Sequence, residues 1–422
     1  MSFPRYPKYK DSGVEWLGQV PEHWEIMALK HLASLRSGET ITADSINESG
    51  EYPVFGGNGL RGYTSAFTHD GLYALIGRQG ALCGNINYAE GKFWASEHAV
   101  VVSPKTQVVS KWFGELLRAM DLNQYSVSAA QPGLSVEIIS NLRIPVPLCS
   151  EQTAIAAFLD QETAKIDELV TEQKKLMELL KEKRQAVISH AVTKGLNPNA
   201  PMKPSGIEWL GDVPKHWEVT RLANVFREVA EPGTDELPIL SVSIHHGVSD
   251  KEVEEEDMDR KVTRSDDRSK YKRVAPGDLV YNMMRAWQGG FGAVTVEGMV
   301  SPAYVVARPQ VLLETTFIEK LLRTPQAIEQ MRRHSQGVTD FRLRLYWDEF
   351  KNIGVALPPQ AEALNICARI AEMEEKFSAM SAACAESIVL LQERRTALIS
   401  AAVTGQIDVR PLIAKEPSHE RA

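Results

Sequence analysis

The sequence predicts an α+β protein in which two β-rich domains are joined by two long helices that form an antiparallel coiled coil, with a pseudo-twofold internal repeat. Three observations predict this fold. An opening segment at residues 12–25 (SGVEWLGQVPEHWE) recurs at 205–218 (SGIEWLGDVPKHWE). A closing segment at 182–193 (EKRQAVISHAVT) recurs at 393–404 (ERRTALISAAVT). Each closing segment ends a long stretch of helical character. A chain that carries one architecture twice is suited to a ligand with two related halves.

The composition is typical of a soluble globular protein. The chain has 422 residues, of which 43% are hydrophobic and 24% charged, and this length suits two to four domains rather than one core. No apolar run reaches the ~18 residues of a membrane span and the sequence lacks a signal-peptide pattern, so we expect a cytoplasmic protein. The cysteines (Cys83, Cys149, Cys367 and Cys384) lack metal-ligand spacing and are expected to be reduced thiols.

Charge is segregated along the chain. The formal net charge of −8 argues mildly against a nucleic-acid partner, but local fields decide phosphate binding. Residues 250–259 (DKEVEEEDMD) form an acidic block, and residues 260–273 (RKVTRSDDRSKYKR) follow at once with seven basic residues against two acidic ones.

The two bodies that follow the opening segments are predicted to be mostly β. Short apolar runs between turn residues predict strands in the first body at 52–59, 72–76 and 99–102, with a short helix at 111–120. The same style predicts strands in the second body at 237–244, 278–281 and 304–307, with a helix at 316–334. The tryptophan pairs of the opening segments, Trp16 with Trp24 and Trp209 with Trp217, are expected to anchor a docked loop in the core.

Two long helices are predicted from heptad spacing. Residues 151–193 lack Gly and Pro, and a seam steps alternately by four and three through Ile155, Leu159, Glu162, Ile166, Leu169, Gln173, Leu176, Leu180, Lys183 and Val187. A shift of 211 residues gives Ile366, Ile370, Met373, Phe377, Met380, Cys384, Ser387, Leu391, Arg394 and Leu398. We expect the two helices to pack antiparallel, with a β-rich body at each end.

The predicted domain organisation follows from these elements. The first domain with its opening segment is residues 1–150, and the central helix is 151–195. A linker, the second opening segment and the second domain occupy residues 196–360. The C-terminal helix is 361–408, and a tail follows at 409–422.

The sequence shows no motif for catalysis, nucleotide binding or metal binding. It has neither GxxxxGK[ST] nor GxGxxG, and residues 197–199 (NPN) lack the second proline and the aromatic residue of a DNA amine-methyltransferase loop. His245 and His246 are adjacent, so on a strand they would point to opposite faces. Residues 254–257 (EEED) are expected to form a solvated loop. We therefore expect a non-catalytic chain without cofactor or metal.

Several stretches together carry a resemblance to a known family. They are the two opening segments, the two closing segments, residues 52–63 (YPVFGGNGLRGY), residues 75–87 (LIGRQGALCGNIN) and residues 144–165. The last of these ranges includes EQTAIAAFLDQETAK. Over essentially its whole length the chain resembles the specificity (S) subunit of Type I restriction–modification systems. One departure is that residues 358–363 (PPQAEA) lack the Glu-Gln pair of Glu151 and Gln152.

The resemblance implies a division of labour among subunits. Each β-rich body would be a target-recognition domain that reads one half of a bipartite, asymmetric site in double-stranded DNA. The coiled coil would set the unread spacer, two adenine-N6 methyltransferase (M) subunits would dock on the frame, and restriction/translocase (R) subunits would join them. This chain would determine which DNA sequence is recognised and would have no catalytic activity. Because its net charge is negative, we expect the free subunit to bind DNA weakly without partners.

Candidate DNA-binding residues follow from the chemistry of base edges. Arg, Lys, Asn and Gln make paired hydrogen bonds in the major groove, and those near Gly-rich turns are Asn58, Arg61, Arg78, Gln79 and Gln131 in the first body and Arg285, Gln288, Gln336, Arg342 and Arg344 in the second. Lys270, Lys272 and Arg273 flank Tyr271 and suit phosphate contacts, which position without specifying. The competing interpretation is that these basic residues pair with the acidic block upstream.

Two other functions remain compatible with the sequence. The same reader could serve a Type II enzyme with separate methyltransferase and nuclease polypeptides, which the neighbouring genes would reveal. A duplicated coiled-coil scaffold that binds proteins is the alternative from a different class. A steep salt dependence of DNA binding in complex with a methyltransferase would exclude the scaffold.

Overall fold

The chain divides by its internal contacts into two units. Unit 1 comprises residues 1–174 and 385–422, and unit 2 comprises residues 175–384. The computed structural model describes residues 3–80, 82–105, 107–126, 133–234, 236–244, 247–251, 270–337 and 343–413.

The part of unit 1 that precedes the first long helix consists of short strands and helices. Its strands are β1 (Tyr9–Asp11), β2 (Gln19–Pro21), β3 (Glu25–Ala28), β4 (Ala33–Ser37), β5 (Tyr52–Gly56), β6 (Gly59–Thr64), β7 (His69–Asp70), β8 (Tyr73–Gly77), β9 (Ile86–Ala89), β10 (Lys92–Ala95), β11 (Ala99–Pro104) and β12 (Arg143–Val146). Its helices are α1 (Leu29–Leu32), α2 (Ser110–Ala119), α3 (Val136–Asn141) and the first part of the long helix α4 (Cys149–Lys194).

Two four-stranded sheets organise unit 1. One is antiparallel in the order β4-β11-β8-β9, and the other has the order β6-β5-β10-β7. Alternate side chains of the first sheet enter the core, where Ile76 on β8 and Val100 on β11 are cross-strand partners and both are fully buried. Helix α2 covers this sheet with Trp112 and Phe113, which are also buried.

Unit 2 repeats these elements after the first long helix. Its strands are β13 (Met202–Pro204), β14 (Asp212–Pro214), β15 (Glu218–Arg221), β16 (Phe226–Val229), β17 (Val242–Ser243), β18 (Gly247–Val248), β19 (Lys272–Val274), β20 (Leu279–Asn282), β21 (Phe291–Ala293), β22 (Gly298–Val300), β23 (Tyr304–Pro309) and β24 (Gly354–Leu357). Its helices are α5 (Leu222–Val225), α6 (Thr315–Leu322), α7 (Pro325–His334), α8 (Trp347–Phe350) and the first part of the long helix α9 (Gln360–Val403), after which α10 (Arg410–Ile413) belongs to unit 1.

The order of one four-stranded sheet of unit 1 recurs in unit 2. The antiparallel sheet β16-β23-β20-β21 has the connectivity of β4-β11-β8-β9, and the pairs β13-β14 and β15-β24 repeat β1-β2 and β3-β12. The predicted α+β class and the internal repeat are therefore confirmed.

The second body differs in two places from what the sequence predicts. The helix expected at 316–334 is two helices, because Pro325 has no N–H to continue α6 and instead starts α7, where the hydroxyl of Thr324 accepts a hydrogen bond from the Ala327 N–H at 3.3 Å. The run at 237–244 contains only the two-residue strand β17. Pro238 has no donor for a strand ladder, so Leu240 enters the core from a loop.

Each unit contains an antiparallel contact between α4 and α9. In unit 1 the early α4 residue Asp167 pairs with Arg395 near the end of α9 at 3.6 Å. In unit 2 the late α4 residue Arg184 donates to Glu374, near the start of α9, at 2.9 Å. The beginning of one helix thus lies beside the end of the other, which is the predicted antiparallel coiled coil.

The predicted seam residues are buried near the helix ends and unevenly exposed further in, where Leu180 and Cys384 are buried. Ile155 and Ile366 are fully buried, whereas Leu169, Leu176 and Met380 are 50%, 40% and 49% exposed. Near their ends the helices pack into the core of a unit, whereas further in the seam residues are covered to different extents. The middle of the helix pair therefore presents apolar side chains to solvent.

The opening segments are docked as the tryptophan pattern predicts. Trp24 and Trp217 are buried at 0% and 1% exposure, while Trp16 and Trp209 pack against the same cores from partly exposed positions. Gly405, which follows α9, has a φ of +77° and would bring a Cβ atom to 2.4 Å from Cδ of Pro21. Only glycine at this position lets the chain after α9 lie against the first opening segment.

A buried carboxylate ties the first opening segment to the start of α4. Glu151, which is 3% exposed, accepts hydrogen bonds from the Tyr6 hydroxyl at 2.5 Å and is 3.0 Å from Nε2 of His23. Burial and the bond to Glu151 raise the pKa of Tyr6, so its hydroxyl keeps its proton as a donor. The guanidinium of Arg410 stacks on the Tyr6 ring at 4.9 Å and bonds Asp408.

Unit 2 has a corresponding contact with a different second partner. Glu362 lies 2.6 Å from Nε2 of His216 and accepts a hydrogen bond from Nε1 of Trp217 at 3.1 Å. Glu362 is 211 residues after Glu151, so the acidic half of the Glu-Gln pair is retained at the start of α9. Unit 2 thus keeps the glutamate of the pair and lacks its glutamine.

The missing glutamine corresponds to a cavity. In unit 1 the Gln152 side chain accepts from the Val109 N–H and donates to the Pro147 carbonyl, both at 3.0 Å. Its counterpart in unit 2 is Ala363, which borders a cavity of about 380 Å³ also lined by Glu314 and Pro358. The shorter side chain leaves unfilled space where unit 1 has a buried polar bridge.

Candidate nucleic-acid interface

Two loops of unit 1 meet at one end of its sheets. The turn between β5 and β6 contains Gly57, and the loop between β8 and β9 begins after Gly77. A Cβ atom on Gly77 would lie 2.2 Å from the Gly57 carbonyl oxygen, so a side chain there would push the loops apart. The loop at residues 78–85 is called recognition loop 1 below.

Asn58 lies in the turn between β5 and β6, and Arg61 lies on β6 just after this turn. Both are exposed, and Asn58 Oδ1 accepts a hydrogen bond from Nδ2 of Asn85 in recognition loop 1 at 3.1 Å. The aliphatic part of Arg61 lies over Gly56, where a Cβ atom would come within 2.4 Å of Arg61 Cδ. Packing of its aliphatic carbons against Gly56 thus holds the Arg61 side chain in place at the surface.

Arg78 and Gln79 begin recognition loop 1. Arg78 is half-buried, and its Nη1 donates to the Ser37 hydroxyl at 3.0 Å. Gln79 is exposed and pairs through its backbone with Gly133. The structure therefore brings Asn58, Arg61, Arg78 and Gln79 together, with Arg78 partly committed to an internal bond.

Unit 2 places two candidates on the equivalent loop. Residues 283–290, called recognition loop 2, connect β20 to β21 as recognition loop 1 connects β8 to β9. Arg285 is half-buried and Gln288 is exposed. The Arg285 carbonyl accepts from the N–H groups of Gln288 at 2.9 Å and Gly290 at 3.0 Å, which closes the loop tightly. Burial raises the pKa of Tyr304, and the nearby charge of Arg285 acts in the opposite direction.

A buried leucine anchors the next segment to each recognition loop. The Leu134 N–H donates to the Arg78 carbonyl at 3.0 Å in unit 1, and the Leu345 N–H donates to the Met283 carbonyl at 2.9 Å in unit 2. These leucines are 4% and 0% exposed. The repeated anchor fixes where the flanking polar residues of both units lie.

Gln336 and Arg344 lie beside recognition loop 2. Their backbones exchange two hydrogen bonds, at 2.9 and 3.0 Å, and both residues are exposed. The side chain of Gln336 donates to Glu349 at 3.2 Å. Arg285, Gln288, Gln336 and Arg344 are thus brought into one region by the Leu345 anchor.

Sequence reasoning missed an aromatic residue of this region. The guanidinium carbon of Arg332 lies 5.9 Å from the centre of the Trp287 ring, within the range of a cation–π contact. Trp287 lies between the candidates Arg285 and Gln288 in the sequence, and this position was the signal that could have identified it. Arg332 lies 45 residues further along, on α7, and only the fold brings it close.

The basic residues proposed for phosphate contacts lie on and beside β19. Lys272 Nζ donates to the Tyr304 carbonyl at 2.8 Å, and Arg273 Nε donates to Glu297 at 2.9 Å. Lys270 is exposed. Arg273 therefore has an acidic partner, although this partner lies downstream rather than in the acidic block.

Some predicted positions lie outside the described residues. They are Gln131, Arg342, His245, His246, residues 252–259 of the acidic block and residues 260–269 of the basic block.

Among the described residues there is no group of three or more His, Cys, Asp or Glu side chains that could hold a metal ion. The four cysteines are free. Burial raises the pKa of Cys367 to about 12 and raises that of Cys83, so the reactive thiolate is disfavoured at both. Within the described ranges, no helix is long and apolar enough to cross a membrane.

Comparison with known proteins identifies relatives in sequence. Residues 21–179 match the Type I restriction modification DNA specificity domain. The EcoprrI specificity subunit of Escherichia coli is 47% identical over 137 residues, which cover 32% of this chain and 34% of that protein. The E. coli EcoDI specificity subunit is 25% identical over 177 residues, covering 42% and 39%. These alignments span little more than a third of each relative.

Solved structures share the fold over a larger part of the chain. A chain from a study of complex assembly and conformational transition in the Type I restriction–modification system aligns with a TM-score of 0.61 at 14% identity, covering 91% of this chain and 98% of that one. The HsdS subunit of Thermoanaerobacter tengcongensis aligns with a TM-score of 0.52 at 15% identity, covering 92% and 98%. At these identities the likeness concerns the fold.

Proposed function

Because residues 21–179 carry the specificity domain of Type I restriction–modification systems, we propose that this chain is the sequence-specificity subunit of such a system. Each unit reads one half of a bipartite site in double-stranded DNA, and the two long helices set the unread spacer. The observation that carries the proposal is the repeated sheet order with exposed polar residues on equivalent recognition loops. One frame with two different sets of loops suits a site with two different halves.

The target-recognition domains are proposed at residues 1–150 and 196–360, with helices at 151–195 and 361–408 as the frame and 409–422 as a tail. In both units most candidate readers lie in or beside loops at a sheet end, and Arg61 lies near the start of β6. The frame contacts Glu151–His23 and Glu362–His216 instead involve the helix starts. This placement is consistent with separate roles for the target-recognition domains, which would contact DNA, and the long helices, which would hold the domains.

The readers combine direct and positioning roles. Asn58, Arg61, Gln79, Gln288 and Arg344 have exposed polar ends and are assigned to base edges together with the other candidates above. Lys270, Lys272 and Arg273 are assigned to phosphates. Two linked heads gain specificity because the second head engages its half-site intramolecularly.

Methyltransferase subunits are proposed to dock on the long helices, and restriction subunits then join the complex. Exposed apolar side chains on these helices support the docking: Leu169, Leu176, Leu179, Val389 and Leu390 are 40–57% exposed. Such side chains are suited to burial in a subunit interface. The chain supplies no catalysis of its own and acts in the cytoplasm, where its DNA substrate lies.

The decisive experiment is to co-express this chain with the methyltransferase encoded beside it and to map methylated adenines by single-molecule sequencing. We expect one split motif with a fixed unread gap. An intact complex that methylates no motif, with a methyltransferase that is active alongside another specificity subunit, would contradict the proposal.

A further inference from the structure

Each recognition loop carries one large apolar side chain in solvent. Leu82 in recognition loop 1 is 52% exposed, and Met284 in recognition loop 2 is 44% exposed. Single exposed apolar residues are common on protein surfaces. These two, however, lie on loops that occupy the same place in the same sheet order of the two units.

The backbone around Leu82 is fixed by hydrogen bonds. The Cys83 N–H donates to the Gly80 carbonyl at 3.0 Å, and the Leu82 carbonyl accepts from the Asn85 N–H at 3.1 Å. The Asn85 side chain in turn donates to Asn58. Leu82 is therefore held at the tip of a closed turn, and its exposed side chain has a defined place beside the polar candidates.

Met284 is held in a comparable way. Its N–H donates to Oδ1 of Asn282 at 3.0 Å, and its carbonyl accepts from Nε1 of Trp287 at 3.0 Å. The neighbouring Met283 carbonyl receives the Leu345 anchor. Met284 thus precedes Arg285 on a loop that is closed at both ends.

The surroundings of these side chains indicate what they meet. Arg, Asn and Gln, the residue types next to them, are those that can form paired hydrogen bonds with base edges in the major groove. The one apolar group that bases display in that groove is the 5-methyl group of thymine. We propose that Leu82 and Met284 each contact a thymine methyl group, one in each half-site, and so specify A·T pairs that the polar residues do not. This inference rests on the proposed function.

The test replaces thymine by deoxyuridine, which removes only the methyl group. Once the split motif is known, each thymine of the site is replaced in turn, and binding by the complex with the methyltransferase is measured. Burying one methyl group is worth about 0.8 kcal/mol, so we expect about four-fold weaker binding at one position or more in each half-site.

Two variants with matched controls assign the contacts. In the complex carrying Leu82→Ala, the loss on deoxyuridine is expected to disappear in one half-site, and with Met284→Ala in the other. Leu148→Ala in unit 1 and Leu312→Ala in unit 2 are the controls. These leucines are 66% and 82% exposed and belong to neither recognition loop, since Leu148 precedes α4 and Leu312 precedes α6. The controls are expected to keep the full loss in both half-sites.

The outcomes separate this inference from the proposed function. A complex that prefers its site over scrambled DNA yet is indifferent to every deoxyuridine overturns the methyl contacts alone. A loss that persists in Leu82→Ala and Met284→Ala also overturns them. A complex without preference for any site contradicts the proposed function itself.

Discussion

Glu362 has in unit 2 the place that Glu151 has in unit 1: each carboxylate stands at the start of a long helix and contacts the histidine of an opening segment. The surroundings differ, because Glu151 also accepts from Tyr6 and is 3% exposed, whereas the side chain of Glu362 is 29% exposed. The contact between a glutamate at a helix start and a histidine of an opening segment thus occurs in both units, and its glutamate is more deeply buried in unit 1.

Unequal burial predicts unequal effects of removing the two carboxylates. Glu151→Ala leaves the Tyr6 hydroxyl and His23 without their acceptor, and we expect local destabilisation of about 2–3 kcal/mol. Glu362→Ala should cost about 1 kcal/mol, because water can replace part of the lost contact. Hydrogen exchange measured by mass spectrometry over residues 3–25 and 202–218 reports each site separately. Glu151→Gln, which keeps an acceptor, is the control, and equal loss of protection in both alanine variants would contradict this account.

The glutamine difference predicts opposite effects of two exchanges. Gln152→Ala removes the acceptor of the Val109 N–H and should destabilise unit 1 by about 1–3 kcal/mol. Ala363→Gln places a side chain of the same kind beside the cavity of unit 2 and should stabilise its surroundings by about 1 kcal/mol. Thermal melting and hydrogen exchange at 107–112 and 313–317 measure both effects. Ala363→Leu, which fills space without a polar bridge, separates packing from hydrogen bonding. Destabilisation by Ala363→Gln would show that the two sites are not equivalent.

Glu374 predicts a pH dependence in unit 2. Burial alone would raise its pKa, but hydrogen bonds from Lys320 and Arg184 outweigh this effect and hold the pKa below the ordinary value. A lowered folded-state pKa means that the stabilisation is complete at neutral pH and is lost as the pH falls below the usual glutamate range of about 4–5.

The measurement compares melting of wild type and Glu374→Gln at pH 7 and pH 3.5. The variant should be less stable at pH 7, and the difference should shrink at pH 3.5. Glu329→Gln, which removes an exposed pair with Arg333, should change little at either pH. A constant difference for Glu374→Gln across this range would rule out the ionic contribution.

Arg61 predicts a change of specificity confined to one half of the site. Its exposed guanidinium is supported over Gly56, and loss of a bidentate contact to guanine costs about 1–3 kcal/mol. Arg61→Ala in the complex should therefore bind about 5- to 150-fold more weakly and accept other bases at one position. Arg118→Ala, whose guanidinium bonds Glu115, is the control. Binding loss without any change of motif would assign Arg61 to a phosphate instead.

The sequence predicted the frame better than the site. Repeated segments and heptad spacing report on local structure, so the long helices and the antiparallel pairing followed from them. The break at Pro325 was also readable, since proline cannot continue a helix. The contact of Arg332 with Trp287 was not, because it depends on how α7 packs on recognition loop 2. The same holds for Glu362, whose role becomes visible only when His216 is placed beside it.

The separation of recognition loops from the helix-start contacts has an evolutionary consequence under the proposed function. Substitutions within residues 78–85 or 283–290 can change the DNA sequence that is recognised, while Glu151 and Glu362 keep their partners. Because one polypeptide would direct both modification and cleavage, the two activities would change their target in the same generation. A host lineage could thus acquire a new barrier to foreign DNA through a few codon changes, without a second, coordinated mutation in the enzyme that protects its own genome.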